Sequence, residues 1–322
     1  MSSPEPNPEE SPEPTVPPRT VHRPVLRDEV LAWLDPKEGS VLVDGTAGAG
    51  GHTRALAERV GATGRVIGLD RDPAMLALAG RATEGLPVTL VVSAYSRVRA
   101  VLADLGLGAV DGVLLDVGLS SDQLAWADRG FSFGADGPLD MRYNPVEGDP
   151  SAADLVNTLG EQELARIFYE YGEERYSRRV ARRLVEARRA APVETTGRLA
   201  EIVRRSIPGK WGPIDPSTRV FQALRIAVND ELGHLERTLA LLPEVLKIGG
   251  RAAVISFHSL EDRRVKHAFR DDPRFNVLTR KPVTASPGEL ANNPRARSAK
   301  LRVAQRCPIP SGSPVPTDSW KT

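Results

Sequence analysis

Three aspartates stand where short apolar runs stop: Asp44 after Val41-Leu-Val43, Asp70 after Val66-Ile-Gly-Leu69, and Asp116 after Val113-Leu-Leu115. The first leads directly into Gly45-Thr-Ala-Gly-Ala-Gly-Gly51 and His52. In parallel sheets a ligand is held at the carboxyl ends of the strands, and turns without side chains let backbone amides approach it closely. An acid ending the second strand can accept hydrogen bonds from both hydroxyls of a ribose. Two acids compete for that place. Asp72 precedes Pro73 and so has a sufficient role as a helix N-cap with proline at the first helical position, which leaves Asp70 for the ribose.

The glycines at 45, 48, 50 and 51 do not fit the G-x-G-x-x-G register that seats a pyrophosphate on a helix N-terminus, which disfavours a dinucleotide. They fit the looser pattern of methyltransferases that bind S-adenosylmethionine, with Thr46 replacing the first glycine. A tight turn without ligand would use glycine as well. The third strand supplies Ser93-Ala-Tyr95, where the ring lines an adenine or simply packs. Asp116 is followed by Val-Gly-Leu-Ser-Ser-Asp-Gln123. Base-amine methyltransferases place Asp-Pro-Pro-aromatic here. This chain keeps only the acid, so the stacking aromatic and the acceptor of the amine proton must come from elsewhere or act differently.

The elements that must position these residues follow from the periodicity. Apolar runs at 41–43, 66–69, 88–92 and 112–115 alternate with stretches of helical period, which predicts βαβ units and a parallel sheet. After Asp140 the strand signal stops. Helical stretches at Glu161–Tyr171, Arg175–Arg189 and Thr195–Ser206 predict an all-helical insertion. Strand character resumes at 250–257, after a helix around His234–Lys247, and again at 275–279 and 299–304, a terminal pair suited to antiparallel closure of one side. The expected fold is α/β, a Rossmann-like class I S-adenosylmethionine-dependent methyltransferase sheet over 21–140 and 235–322, with a helical insertion over 141–234. Residues 1–20 are Pro, Glu and Ser with few apolar side chains, too few to offset ordering entropy, and are expected to be disordered.

No run of apolar residues is long enough to span a membrane and no signal peptide is visible, so a cytoplasmic location is expected. The single Cys307 excludes an internal disulfide, and five histidines without metal-ligand spacing predict no metal. The net charge of +1 conceals an asymmetry: residues 1–160 hold 13 Lys+Arg against 23 Asp+Glu, and residues 161–322 hold 30 against 19. Clustered arginine is an electrostatic footprint for phosphates, although a charge run is often just a solvated helix face.

Taken in order, these motifs resemble the MraW/RsmH family of bacterial small-subunit rRNA methyltransferases, from His22 to about Arg306. The likeness is carried by His22-Arg-Pro-Val-Leu26, Asp44-Gly-Thr46 with Gly50-Gly-His52, Leu69-Asp-Arg-Asp-Pro73 and Leu115-Asp-Val-Gly-Leu-Ser-Ser121. Further matches are Arg129-Gly-Phe-Ser-Phe133, Gly137-Pro-Leu-Asp-Met-Arg142, Tyr171-Gly-Glu-Glu-Arg175, Thr218-Arg-Val-Phe-Gln222, Ile255-Ser-Phe-His-Ser-Leu-Glu-Asp262 and Asn293-Pro-Arg-Ala-Arg-Ser298. The resemblance implies methylation of the exocyclic N4 amine of a decoding-site cytosine in 16S rRNA, within the small ribosomal subunit. It also implies a cofactor site at Gly50, Gly51, His52, Asp70, Tyr95, Asp116 and Gln123, where Tyr95 replaces the family's usual phenylalanine.

A base inside a duplex cannot be reached, so the target must be single-stranded or flipped out and stacked. Asp116 is the expected catalytic group, with it or a nearby carbonyl accepting a hydrogen bond from the amine. Phe131, Phe133 and His258 are candidates to face the base, against the plain alternative of loop anchors and a strand-end hydrogen bond. For the RNA backbone the candidates are Arg175, Arg178, Arg179, Arg182 and Arg183 on one helical stretch, with Arg295 and Arg297 from the late loop, although Glu173, Glu174 and Glu186 would neutralise part of that stripe. The competing readings are a methyltransferase for DNA or protein, a non-catalytic ribosome-binding factor, and a nucleotide-dependent oxidoreductase.

Overall fold

The computed structural model describes residues 23–308 except 146, 147, 210 and 213; the N-terminal tail and His22 lie outside the described residues. Seven strands form one sheet: β1 (Val41–Asp44), β2 (Arg65–Asp70), β3 (Val88–Val92), β4 (Val110–Asp116), β5 (Leu246–Ser256), β6 (Phe275–Val277) and β7 (Lys300–Arg306). Their order is β3-β2-β1-β4-β5-β7-β6, parallel except for β7, which runs antiparallel to both β5 and β6. This is a Rossmann-like α/β sheet of class I methyltransferase type. The strand order reverses between β1 and β4, which opens a crevice at their carboxyl ends.

Successive strand residues point to opposite faces, and both faces are covered. Val43, Ile67, Leu69, Val113, Leu115 and Val254 pack on one side; Leu42, Val66, Leu114, Ala253 and Ile255 pack on the other. The first face is covered by α4 (Val98–Asp104), α11 (Glu231–Val245) and α12 (Ser259–Asp271), through Leu102, Leu235, Leu239 and Phe269. The second is covered by α1 (Arg27–Leu34) and α2 (Gly51–Val60), through Val30, Leu34, Leu56 and Val60. Each such side chain, fully withdrawn from water, contributes about 1.5–3 kcal/mol. The remaining helices of this part are α3 (Pro73–Ala82), α5 (Ser121–Ala125) and α13 (Pro287–Asn292).

Between β4 and β5 the chain forms α6 (Ala152–Thr158), α7 (Glu161–Glu170), α8 (Ser177–Arg188), α9 (Thr196–Ser206) and α10 (Ser217–Asn229). They share a core of their own, with Phe168, Leu184, Leu199, Val203 and Leu224 at its centre. At Asp230 the backbone turns through a left-handed conformation (φ 46°), and the next helix, α11, belongs to the core of the sheet. The helix expected to run to Lys247 ends at Val245, and β5 begins at Leu246 rather than Gly250. Pairing of Val110 with Leu246 and of Gly112 with Arg251 leaves Lys247–Gly250 as a bulge whose Gly249 (φ 85°) allows the strand to resume. No described helix is long and apolar enough to cross a membrane.

Candidate active site

The three strand-end aspartates meet at the crevice. Asp44 is fully buried: one oxygen accepts the Thr53 hydroxyl at 2.7 Å and the other the Thr46 amide at 3.1 Å. Burial pushes its carboxyl up to about 6 against those hydrogen bonds. It is the foundation of the turn and does not reach the cleft wall. The wall itself is formed by Gly45 to Ala49, Gly51 and His52 from the turn, with Asp70, Tyr95 and Asp116 beside them. Gly45 is required by close packing, because a Cβ there would lie 2.5 Å from Leu115 Cδ2 and 2.9 Å from Tyr95 Cβ.

Asp70 accepts the Gly48 amide on one oxygen at 2.8 Å and the Asp72 amide on the other at 2.9 Å, which ties the end of β2 to the glycine turn. Burial, opposed by those amides, pushes its carboxyl up to about 7. Asp72 is the N-cap of α3, with Pro73 at the first helical position, as its place in the sequence predicts: Oδ1 accepts the Ala74 amide at 3.0 Å. Its other oxygen accepts Gln123 Nε2 and Arg129, each at 2.9 Å. Gln123 Oε1 accepts the Ser120 amide at 3.0 Å in the capping box of α5, so with Nε2 on Asp72 both ends of its side chain are engaged even though it lines the cleft.

Asp116 ends β4. One of its oxygens lies 3.6 Å from His52 Nε2, and the other, Oδ1, is buried with no hydrogen bond among the described residues. Burial, then the charge of Asp44, pushes this carboxyl up to about 7, while Arg295 draws it down. Arg295 is turned inward to the cleft by hydrogen bonds to Ser121 Oγ and the Leu119 carbonyl.

The opposite wall is one the sequence did not reveal. Tyr143, Asn229 and Glu231 approach from the helical layer and line the same cleft, with Arg71 and Phe257. Tyr143 donates its hydroxyl to Glu231 Oε1 at 2.8 Å, and Glu231 also pairs with Arg225 at 2.8 Å. Burial and Glu231 hold the Tyr143 hydroxyl well above the ordinary phenol range, so it remains a donor. Glu231, His258 and Glu261 bring donor atoms within 4.8 Å of one another, a cluster that could in principle ligate a cation. The Arg225 guanidinium already neutralises its first member.

Some expected residues face elsewhere. Gly50 (φ 88°) turns toward α3, where a Cβ would lie 2.9 Å from Ala79 Cα, so it serves helix packing rather than the cleft wall. Phe131 is buried in the helical core against Tyr143, and Phe133 packs edge-on to Phe221 at 4.9 Å; neither is free to stack on a base. The rings that line the cleft are Tyr95, Tyr143 and Phe257. His258 caps α12 and lies 3.0 Å from Glu261, behind the cleft wall. Arg175, Arg178, Arg179, Arg182 and Arg183 are exposed together along α8 and the turn before it, and the last two share Glu186. Arg297 is exposed on the turn whose neighbour Arg295 enters the cleft.

A family model described as the MraW methylase family matches residues 19–307. The chain belongs to that family. Among curated MraW relatives, the ribosomal RNA small subunit methyltransferase H of Geobacter sulfurreducens is 51% identical over 307 residues, covering 88% of this chain and 98% of that protein. The protein of the same description from Deinococcus radiodurans is 51% identical over 298 residues, covering 92% and 93%. Among solved structures, an rRNA methylase from Streptococcus thermophilus is similar at a TM-score of 0.42 and 10% identity, over 88% of this chain and 94% of that one.

The cleft of this MraW methylase suits S-adenosylmethionine. Gly48 leaves backbone open beside the cleft, and two half-buried carboxyls pushed up to about 7, Asp70 and Asp116, favour a cationic occupant. Asp70 keeps lone pairs for a ribose beyond the two amides it accepts.

Proposed function

We propose that the chain methylates the exocyclic N4 amine of a decoding-site cytidine in small-subunit 16S rRNA, with S-adenosylmethionine as donor. The observation that carries this reading is the buried Asp116 Oδ1, which has no hydrogen bond among the described residues and stands at the end of β4 in the cleft. The small-subunit rRNA named for the relatives supports the acceptor. Residues 141–234 are, on this reading, the part that faces the RNA, and the chain works in the cytoplasm, where the subunit is.

When bound, the cofactor supplies a methyl group already activated on sulfur. The protein therefore has to align the acceptor and exclude water. The cytosine amine is a weak nucleophile because its lone pair is delocalised into the ring. Asp116, ionised, accepts a hydrogen bond from N4–H, which favours a pyramidal nitrogen, and a carboxyl raised to about 7 is matched to receive the proton the nitrogen sheds. His52 and Arg295 hold Asp116 from two sides. Phe257 is, on this reading, the ring that flanks an extruded base, and Tyr143, Asn229 and Glu231 close the side of the cleft opposite the glycine turn.

The test is transfer of labelled methyl to assembled small subunits, naked rRNA, DNA and bulk protein, followed by nucleoside analysis. Label recovered as N4-methylcytidine from the small-subunit RNA is the expected result. Label on another atom removes the assignment of the amine, and label confined to DNA or protein removes the RNA.

A further inference from the structure

Away from the cleft, exposed rings and unpaired arginines share one stretch of surface. Tyr176 just before α8 is 43% exposed and Trp211 45%, and Tyr169 on α7 is more exposed still, whereas the apolar side chains at the centre of this layer are buried together. Arg175 and Tyr176 form the wall common to two adjoining grooves. One continues to Arg178 and Arg179, the other to Trp211. The indole N–H of Trp211 donates to the Ile207 carbonyl at 3.4 Å, which fixes the ring while leaving it accessible. Arg175, Arg178 and Arg179 form no ion pair among the described residues, unlike Arg182 and Arg183 with Glu186.

The segment that carries this surface touches the segment that carries the cleft. Glu173, two residues before Arg175, accepts the Ser259 hydroxyl at 2.7 Å and lies 3.8 Å from Arg263. Phe257, two residues before Ser259, lines the cleft.

The chemistry of the surface selects its occupant. Aromatic faces stack on bases only when those bases are unpaired, and arginines beside the rings match a phosphate backbone. A duplex hides its bases and would use the charges alone. We propose that Tyr176 and Trp211, with Arg175, Arg178 and Arg179, form a stacking platform for a single-stranded segment of substrate RNA beside the methylated nucleotide. It rests on the RNA reading given above.

The full-length protein and its Tyr176→Ala, Trp211→Ala and Trp211→Phe variants are titrated with a short single-stranded oligocytidylate and with an RNA duplex of equal length. Each alanine variant should weaken single-strand binding about tenfold, with duplex affinity, cofactor affinity and Tm unmoved. Trp211→Phe should retain single-strand binding. In methyl transfer to small subunits, Trp211→Ala should raise KM for the subunit at unchanged kcat. Wild-type single-strand affinity in both alanine variants overturns the platform, as does equal weakening of duplex binding or crosslinking of Trp211 to a ribosomal protein instead of RNA. Wild-type protein that methylates DNA or protein and not RNA overturns the RNA reading, and the platform with it; a wild type active on RNA with unaffected variants overturns the platform alone.

Discussion

Tyr143 donates its hydroxyl hydrogen to Glu231 Oε1 at 2.8 Å, joining the segment that enters the helical layer to the first turn of α11, which leaves it. Arg225, near the end of α10, binds the same carboxylate. Two other points of the chain thus converge on one buried acid at the cleft. Removing the cation from such a pair strands a charge and costs about 3–5 kcal/mol, more than the pair is worth intact. Arg225→Met should lower Tm by many degrees, whereas Tyr143→Phe, which deletes one hydrogen bond, should cost about 1 kcal/mol. Thermal unfolding of the two variants checks the ranking; equal effects would mean that Glu231 is not a shared anchor.

Asp116→Asn should lower kcat about a hundredfold or more, a larger effect than its weakening of cofactor binding. The sign of the pH dependence follows from the raised carboxyl. Asp116 can take up the proton shed by the amine only when ionised, and the bound cationic cofactor favours that form, so kcat at saturating cofactor should rise with pH through a step lying below the value of about 7 that burial sets in the free protein. In Asp116→Asn the residual kcat should lose that step. A wild-type kcat flat from about pH 5 to 8 would remove Asp116 from proton handling.

Cofactor binding should release protons near pH 7. Asp70 and Asp116 both hold protons up to about 7 because they are buried, and a positively charged ligand favours their ionised forms. Calorimetry in two buffers of different ionisation enthalpy should show net proton release for S-adenosylmethionine, and less for its uncharged thioether product. Identical apparent enthalpies in both buffers would show that neither carboxyl changes state.

Gly45→Ala and Gly48→Ala should fail for different reasons. The first drives a methyl group to 2.5 Å from Leu115 and should cost about 1–3 kcal/mol by overpacking, together with most cofactor affinity as Tyr95 is displaced. The second meets open space, its nearest neighbour being the Thr46 carbonyl at 3.9 Å, but has φ 50°. Only the backbone term should appear there, about 1 kcal/mol, with the cofactor site otherwise preserved. Paired Tm and cofactor titrations separate the two.

What could be read from the sequence was what is encoded locally. Asp44, Asp70 and Asp116 announce themselves because a strand's apolar run and the turn after it are contiguous, and Asp72 because its proline follows it. The opposite wall is built by distance. Asn229 and Glu231 lie at the Asp230 turn, and nothing nearby in sequence shows that Tyr143, or a sheet more than a hundred positions earlier, will meet them. Phe131 and Phe133 fail for the complementary reason: they sit among glycines as a base-binding pair would, and only Tyr143 and Phe221, brought in by the fold, show that their faces are taken. Helix α10 carries its apolar residues at helical spacing, Val220, Phe221 and Leu224 among them, yet its place at the junction of two cores depends on the left-handed turn that ends it.

The last strand among the described residues is not an edge strand. β7 lies between β5 and β6, so residues 300–306 complete the sheet from within, and the turn immediately before them carries Arg295 into the cleft. Pairings between residues far apart in sequence form late in folding. A polypeptide still emerging during synthesis can own all three strand-end aspartates and yet lack the cation set against Asp116. A product truncated ahead of Asn293 should therefore accumulate as an unfinished and inactive sheet.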